Sequence, residues 1–340
     1  MLKRHIAGAI AALTLSGLAI AQTAAPAPAP SDKTKTANAL QPSTAVPASP
    51  FPVPDPTNFT ADTPSVATIN AFLKELWGYD PQRIWQVRAV QKTQVPGLSR
   101  VTILVGVAGG DPKQVQGSQF FVLPDGKHAI ADDVISFGPH PFAETREVLK
   151  TRATGPAKGA AGKDLLFVEF SDFQCPHCKE AQVIVDRLMQ DFPNARLVYE
   201  NFPLRAIHPA AERAAEYGVC VAKSSGDAFY KYANAVFENQ AALTPDGTTQ
   251  ALNDAATKAG VPADQISACV AQPQTKAAVD ESVKLAEDLN VNQTPTLFVN
   301  GRPVPVSASV PYDTTKSMVA YQLQLDGLPQ PAPKLSSLSK

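Results

Sequence analysis

Val168-Glu169-Phe170-Ser171-Asp172-Phe173-Gln174-Cys175-Pro176-His177-Cys178 is the stretch on which the reading of the fold depends. Its first half continues an apolar run from Leu165 to Phe170, the pattern of a buried strand. Its second half opens a helix whose body is read over residues 179–189. Two cysteines three positions apart therefore stand where a strand passes into a helix N-terminus. The unpaired N–H groups and partial positive charge at such an end favour a nearby thiolate. Pro176 fits the first turn, where its missing N–H would be unpaired anyway. His177 adds a donor, and a cation when protonated. Cys175 is expected to be the outer, attacking thiol and Cys178 the shielded one. A thiolate stabilised this way also leaves well, so the dithiol is favoured and the disulfide is oxidising. Two other readings compete. A zinc knuckle needs a second ligand pair at similar spacing, and Cys220 and Cys269 stand 269 − 220 = 49 positions apart. A purely structural disulfide at 175 and 178 is the other.

Downstream, residues 196–200 read as a strand, and 209–289 as mostly helical with breaks at Gly226, Pro245, Gly247 and Pro262. Strand-like runs at 296–299 and 302–306 flank Asn300-Gly301, a strong hairpin signal. A last helix is expected over 313–325. The order β-α-β, helical block, β-β-α predicts an α/β domain over 164–325 with a helical insertion at about 205–289 and a tail over 326–340.

Upstream, residues 152–163 read as a linker of Gly, Ala, Pro and Lys. Before it, Val66, Ile69, Phe72, Leu73 and Leu76 recur at helical spacing after Pro64, ending at Gly78 and Pro81. Strand-like runs follow at 84–91, 99–107 and 118–123, with 127–130 paired across the Pro124-Asp125-Gly126 turn. A helix plus antiparallel strands predicts a small α+β domain over 59–151. It has no cysteine, and Gly109-Gly110-Asp111 reads as a turn and not as a phosphate loop. Its expected role is assembly or partner contact. Trp77 and Trp85 read as core or interface anchors in preference to a cofactor platform.

Lys3, Arg4 and His5 precede an apolar run from Ile6 to Ile20, and Ala19-Ile20-Ala21 suits a signal peptidase, with Gln22 as the mature start. Residues 1–21 therefore read as a secretory signal, which implies a periplasmic or secreted protein in an oxidising compartment. The competing reading, a retained anchor, is weakened by Gly8, Thr14, Ser16 and Gly17 in a run shorter than the roughly 20 residues of a span. No cysteine precedes Cys175, so no lipidated amino terminus is expected. Residues 22–58, rich in Ala and Pro, read as an extended tether. Among 340 residues, 30 basic side chains against 31 acidic ones remove the surplus expected of a dedicated nucleic-acid binder. A hydrophobic content of 44% excludes a wholly disordered chain.

The segment from Val168 to Cys178 resembles the active-site segment of the DsbA-like thiol:disulfide oxidoreductases of the thioredoxin superfamily. Gln293-Thr294-Pro295-Thr296 resembles the same family's cis-proline loop, placed 295 − 178 = 117 positions after Cys178 by the helical insertion. Asn201-Phe202-Pro203-Leu204, His208-Pro209-Ala210 and Phe229-Tyr230-Lys231-Tyr232 resemble parts of that insertion. The likeness spans about residues 164–325. It implies that Cys175 is the nucleophile, that Cys178 resolves, and that Thr294 and Pro295 shape the substrate groove. Glu169, six positions before Cys175, matches a buried acid that exchanges a proton with Cys178; the plainer reading is an edge carboxylate reaching solvent. Cys220 and Cys269 match a structural disulfide clamping two helices, with a second redox relay as the alternative. His208 reads as a helix-end or packing residue in preference to a metal ligand.

The resemblance implies an oxidase that introduces disulfides into unfolded or reduced exported proteins. It needs no metal or organic cofactor and is reoxidised by a membrane redox partner. Two alternatives stand beside it. One is an isomerase or reductase working as a homodimer through the N-terminal domain, whose Asp125-Gly126-Lys127-His128 turn resembles the dimerisation domain of DsbC-type isomerases. The other is a secreted chaperone-like binding module whose thiols are only structural.

Overall fold

Burial that alternates along a strand marks one covered face. Strands β1 (Arg83–Lys92) and β2 (Ser99–Val107) pair antiparallel, and β2 buries Val101, Ile103 and Val105 while Arg100 faces solvent. The computed structural model describes residues 50–131 and 134–330. The expected signal segment 1–21, residues 22–49 of the tether and residues 331–340 of the tail lie outside the described residues. Helix α1 (Val66–Trp77) precedes β1, and the Ser65 hydroxyl accepts the Thr68 N–H at its start. After β2 the sheet continues as an antiparallel meander through β3 (Gln116–Val122), β4 (His128–Ile130) and β5 (Val134–Ser136).

Several expectations need correction here. The third strand runs 116–122 and not 118–123, and the short fifth strand was not expected. The tether does not extend to 58. A register shift between Val87 and Ala89 leaves Arg88 outside the ladder, and its guanidinium donates to the Val53 carbonyl at 2.6 Å. Thr60 and Ala61 then donate to the Val90 carbonyl.

The chain divides into two units, one holding Gln82–Phe137 with the chain up to Asn70, the other Ala71–Pro81 with the chain from Gly138. The N-terminal domain therefore ends before the expected residue 151, because helix α2 (Ala143–Arg152) belongs to the second unit. Leu149 of α2 is buried in that unit's core, Arg146 pairs with Asp326 at 2.7 Å, and Arg152 pairs with Asp288 at 2.8 Å. The segment 71–81 joins the same unit through buried Arg302, which donates to the Glu75 carbonyl and, at 3.3 Å, to that of Leu76. The Tyr321 hydroxyl donates to the Lys74 carbonyl at 2.6 Å. The expected linker 152–163 is not wholly irregular: β6 (Ala157–Gly159) pairs antiparallel with β8 (Arg196–Asn201). Glycine is required just before it, since a Cβ at Gly155 would run into the Tyr199 carbonyl.

In the second unit β7 (Leu166–Ser171) lies parallel to β8, linked by α3 (Pro176–Asp191). Five helices follow: α4 (Ala211–Ala222), α5 (Gly226–Glu238), α6 (Thr248–Lys258), α7 (Ala263–Val270) and α8 (Pro273–Asp288). The hairpin β9 (Thr296–Val299) and β10 (Arg302–Val304) then adds to β7, and α9 (Tyr312–Leu325) closes the unit. The sheet order is β10-β9-β7-β8-β6, the expected α/β core with a helical insertion. Asn300 and Gly301 both have positive φ, 47° and 87°, as a two-residue hairpin of this type requires. The second hairpin strand stops at Val304, short of the expected 306, because Pro305 has no N–H for the ladder.

Every residue of β7 is buried, as in a strand covered on both faces. Phe167, Leu197, Tyr199, Leu297 and Val299 point into one core with the inner stripe of α3: Cys178, Ala181, Val185 and Leu188. Leu166, Val168, Phe170, Val198 and Phe298 point into another, with Leu149 of α2 and Leu285 of α8. Fully covered side chains such as Leu188 and Phe167 each contribute about 1.5–3 kcal/mol by leaving water. Among the described residues no helix is long and apolar enough to cross a membrane.

Candidate active site

β7 ends at Ser171 and the chain turns through Asp172, Phe173 and Gln174 before Cys175 opens α3. Cys175 is the helix N-cap, in extended conformation (φ −75°, ψ 121°), with Pro176 in the first turn. Its carbonyl accepts the N–H groups of Cys178 at 3.1 Å and Lys179 at 3.3 Å.

The turn is held from three sides. The ring of Phe173 stacks on Tyr199 at 5.3 Å and packs edge-on to Tyr232 of the insertion at 5.5 Å. Gln174 accepts the Ala210 N–H at 2.7 Å and donates to the Leu243 carbonyl at 3.2 Å. Gln240, on a short turn after α5, donates its amide to the carbonyls of Phe173 (2.9 Å) and Cys175 (3.0 Å). The helical insertion thus grips the loop that presents the thiols.

Cys175 and Cys178 are both free thiols, so the protein is described in its dithiol form. Cys178 has no solvent exposure, and Asp172 N–H donates to its sulfur at 3.4 Å. Cys175 is only 4% exposed, more covered than an outer thiol was expected to be. The peptide bond Thr294–Pro295 is cis, as the resemblance implied, and the Cys175 thiol donates to the Thr294 carbonyl at 3.7 Å. The loops bearing Cys175 and Pro295, 119 residues apart at that contact, therefore meet.

The two sulfurs are electrostatically unequal. The Cys178 thiol, as a donor, is the main cause holding Cys175 down to about 5, against the opposing effect of burial. The backbone N–H groups of Cys178 and His177 add to the lowering. Burial, followed by the neighbouring Cys175, pushes Cys178 far above its ordinary range. His177 contributes through its main chain, since its ring is 76% exposed and lies 3.4 Å from Glu180.

Glu169 is not an edge carboxylate reaching solvent; its exposure is zero. Gln182 of α3 donates to Oε1 at 2.8 Å, and Oε2 has no partner among the described residues. Burial pushes the Glu169 carboxyl up to about 7, opposed by the hydrogen bond from Gln182. Strand alternation puts Glu169 and Ser171 on the face that Cys178 packs against, and the Tyr199 hydroxyl and Thr294 Oγ1 are likewise buried and unpartnered.

Cys220 and Cys269 are joined in a disulfide between α4 and α7. His208 sits at the start of α4 as expected, its carbonyl accepting the Ala211 N–H, and it also donates from Nδ1 to buried Asp172 at 2.8 Å. Trp77 is buried, and Trp85 Nε1 donates to Asn70 at 3.2 Å. Asp172, Gln182 and Gln240 were not singled out in the sequence. The spacing of Gln182 one turn after Cys178 was available as a signal; Asp172 lies beside the cysteines in sequence, but its side-chain partners and the contact of Gln240 come only through tertiary structure.

The family model described as Thioredoxin matches residues 151–320, half of the chain. A Na(+)/H(+) antiporter of Salinispora arenicola is 33% identical over 147 residues, covering 43% of this chain and 21% of the antiporter. The chain thus spans about a fifth of the length of that relative. A probable disulfide bond formation protein D of Bacillus cereus is 26% identical over 204 residues, covering 58% of this chain and 88% of that protein. A thioredoxin-like oxidoreductase from Silicibacter pomeroyi is similar in structure, at 25% identity and a TM-score of 0.44, covering 53% of this chain and 98% of that one.

Proposed function

This chain belongs to the thioredoxin family, and from that premise we propose that it is a thiol:disulfide oxidoreductase that introduces disulfides into exported proteins. One observation carries the reading: a stabilised Cys175 thiolate and a buried, protonated Cys178 face a cis-proline loop. In the disulfide form a substrate thiolate attacks Cys175 Sγ. A substrate–Cys175 bond forms, the Cys175–Cys178 bond breaks, and its electron pair goes to Cys178 Sγ, which takes a proton from Glu169. A second substrate thiolate attacks the substrate sulfur of the mixed disulfide and releases Cys175 as a thiolate. The substrate loses two electrons and the enzyme becomes the dithiol. A thiolate with its pKa near 5 is a good leaving group at neutral pH, which favours this direction.

Thr294 and Pro295 are assigned to the groove that receives the substrate backbone. Reduced, unfolded exported proteins are the substrates, in the periplasm or outside the cell, and a membrane redox partner restores the disulfide. The test is oxidation of reduced, unfolded ribonuclease by the purified disulfide form. A Cys175→Ser variant with full activity refutes the reading. The isomerase or reductase alternative draws on the separate N-terminal unit, with its five-stranded antiparallel sheet. A reducing potential together with a dimer in solution favours it; an oxidising monomer excludes it.

A further inference from the structure

Asp172 carries a buried carboxylate that the thiol chemistry above does not use. Its side chain has no exposure. Oδ1 accepts the Gln174 N–H at 2.7 Å, while Oδ2 accepts the Leu204 N–H and His208 Nδ1–H, each at 2.8 Å. A carboxylate withdrawn from water persists only when paired in this way. The main chain of the same residue holds the redox pair, with its N–H on Cys178 Sγ at 3.4 Å and its carbonyl accepting the Cys175 N–H at 3.1 Å. His208 is itself fixed, its side chain only 16% exposed. Its N–H donates to the Leu204 carbonyl at 2.9 Å, and its carbonyl accepts the Ala211 N–H, at the start of α4, at 3.1 Å. A continuous set of hydrogen bonds therefore runs from α4 through His208 and Asp172 to the Cys178 sulfur.

Resting on the oxidoreductase reading, we propose that His208 and Asp172 form a positioning dyad that holds the Asp172 amide on Cys178 Sγ and speeds both the expulsion of Cys178 as a thiolate and its return. When an external dithiol opens the Cys175–Cys178 disulfide, one sulfur of that dithiol bonds to Cys175 Sγ. The electron pair of the broken bond goes to Cys178 Sγ. The second sulfur of that dithiol then attacks the sulfur bound to Cys175, closing the dithiol's own disulfide and releasing Cys175 as a thiolate; the dithiol has lost two electrons, and Cys178 takes a proton from Glu169. Charge thus develops at a sulfur with no solvent, where a donor fixed in advance counts most. Cys178 is a disulfide sulfur before the step and a protonated thiol after it. The dyad therefore favours the transition state over both end states, and forward and reverse rates change together.

The experiment uses the full chain in its disulfide form, opened by dithiothreitol in quenched flow, with alkylation and mass measurement. The equilibrium against glutathione is measured alongside. His208→Ala is expected to slow opening about tenfold, the size of one hydrogen bond to a charged group. The glutathione equilibrium moves by less than about threefold. His208→Gln, whose amide can reach the same carboxylate, recovers most of the rate. If His208→Ala does not fold, His208→Phe, which fills the space without a donor, is scored by the same rule. Wild-type rates in the donor-free variant, or no recovery with Gln, overturn the dyad. A wild-type protein that dithiothreitol does not reduce overturns the oxidoreductase reading itself, and the dyad with it.

Discussion

Replacing Glu169 by Gln should change how the stability of the dithiol protein depends on pH, because two buried groups oppose each other over one interval. Cys175 is depressed from 9.0 to about 5. Between those values the unfolded chain binds a proton that the folded protein does not, so stability rises with pH and is lost as pH falls through 5. Glu169 is raised from 4.5 to about 7. There the folded protein holds the extra proton, so stability is present below 4.5 and is lost as pH climbs to 7. Cys178, raised above its unfolded value, adds no slope below pH 9. Each active group changes stability by about 1.4 kcal/mol per pH unit. From pH 5 to 7 the two slopes cancel in the wild type. In Glu169→Gln only the Cys175 slope remains, so, with the Glu169 slope fading near both of its midpoints, the variant should gain about 2 kcal/mol relative to wild type over those two units. The assay is urea unfolding at pH 5 and pH 7 under a phosphine reductant, following alkylation of the fully buried Cys178. Parallel behaviour of variant and wild type would refute the assignment of a buried, protonated Glu169 beside a Cys175 thiolate.

Titration of the dithiol protein by thiolate absorbance should show one cysteine with a midpoint near 5; a first midpoint above 8 is incompatible with the site described. Replacing both Cys220 and Cys269 by Ala opens a loop of separation 49. It should cost about 4 kcal/mol in the chain-entropy account, seen as a lower urea midpoint with the Cys175 titration unmoved. A loss below about 1 kcal/mol would show that the bridge contributes little to the fold.

The centre of this molecule was legible because its signals are local. The run into β7, the CxxC at the start of α3, and Asn300-Gly301 between two apolar runs each state their geometry within a few residues. The Thr-Pro motif became readable once paired with the cysteines. What escaped is long-range or featureless. Helix α2 buries one residue, Leu149, so its pattern shows no apolar stripe. Strand β6 is Ala-Lys-Gly, without a β-branched or aromatic residue. The contact of His208 with Asp172 spans 36 residues and that of Gln240 with Cys175 spans 65, and neither leaves a periodicity to detect.

The grip of Arg302 on the carbonyls at the end of α1 bears on how this protein can be dissected. A fragment beginning at Gly138 would look like a natural excision of the redox half. It would nonetheless strand a guanidinium among Phe142, Gln322 and Tyr321 without its two main-chain acceptors. A working miniature has to bring residues 71–81 along, covalently or as an added peptide.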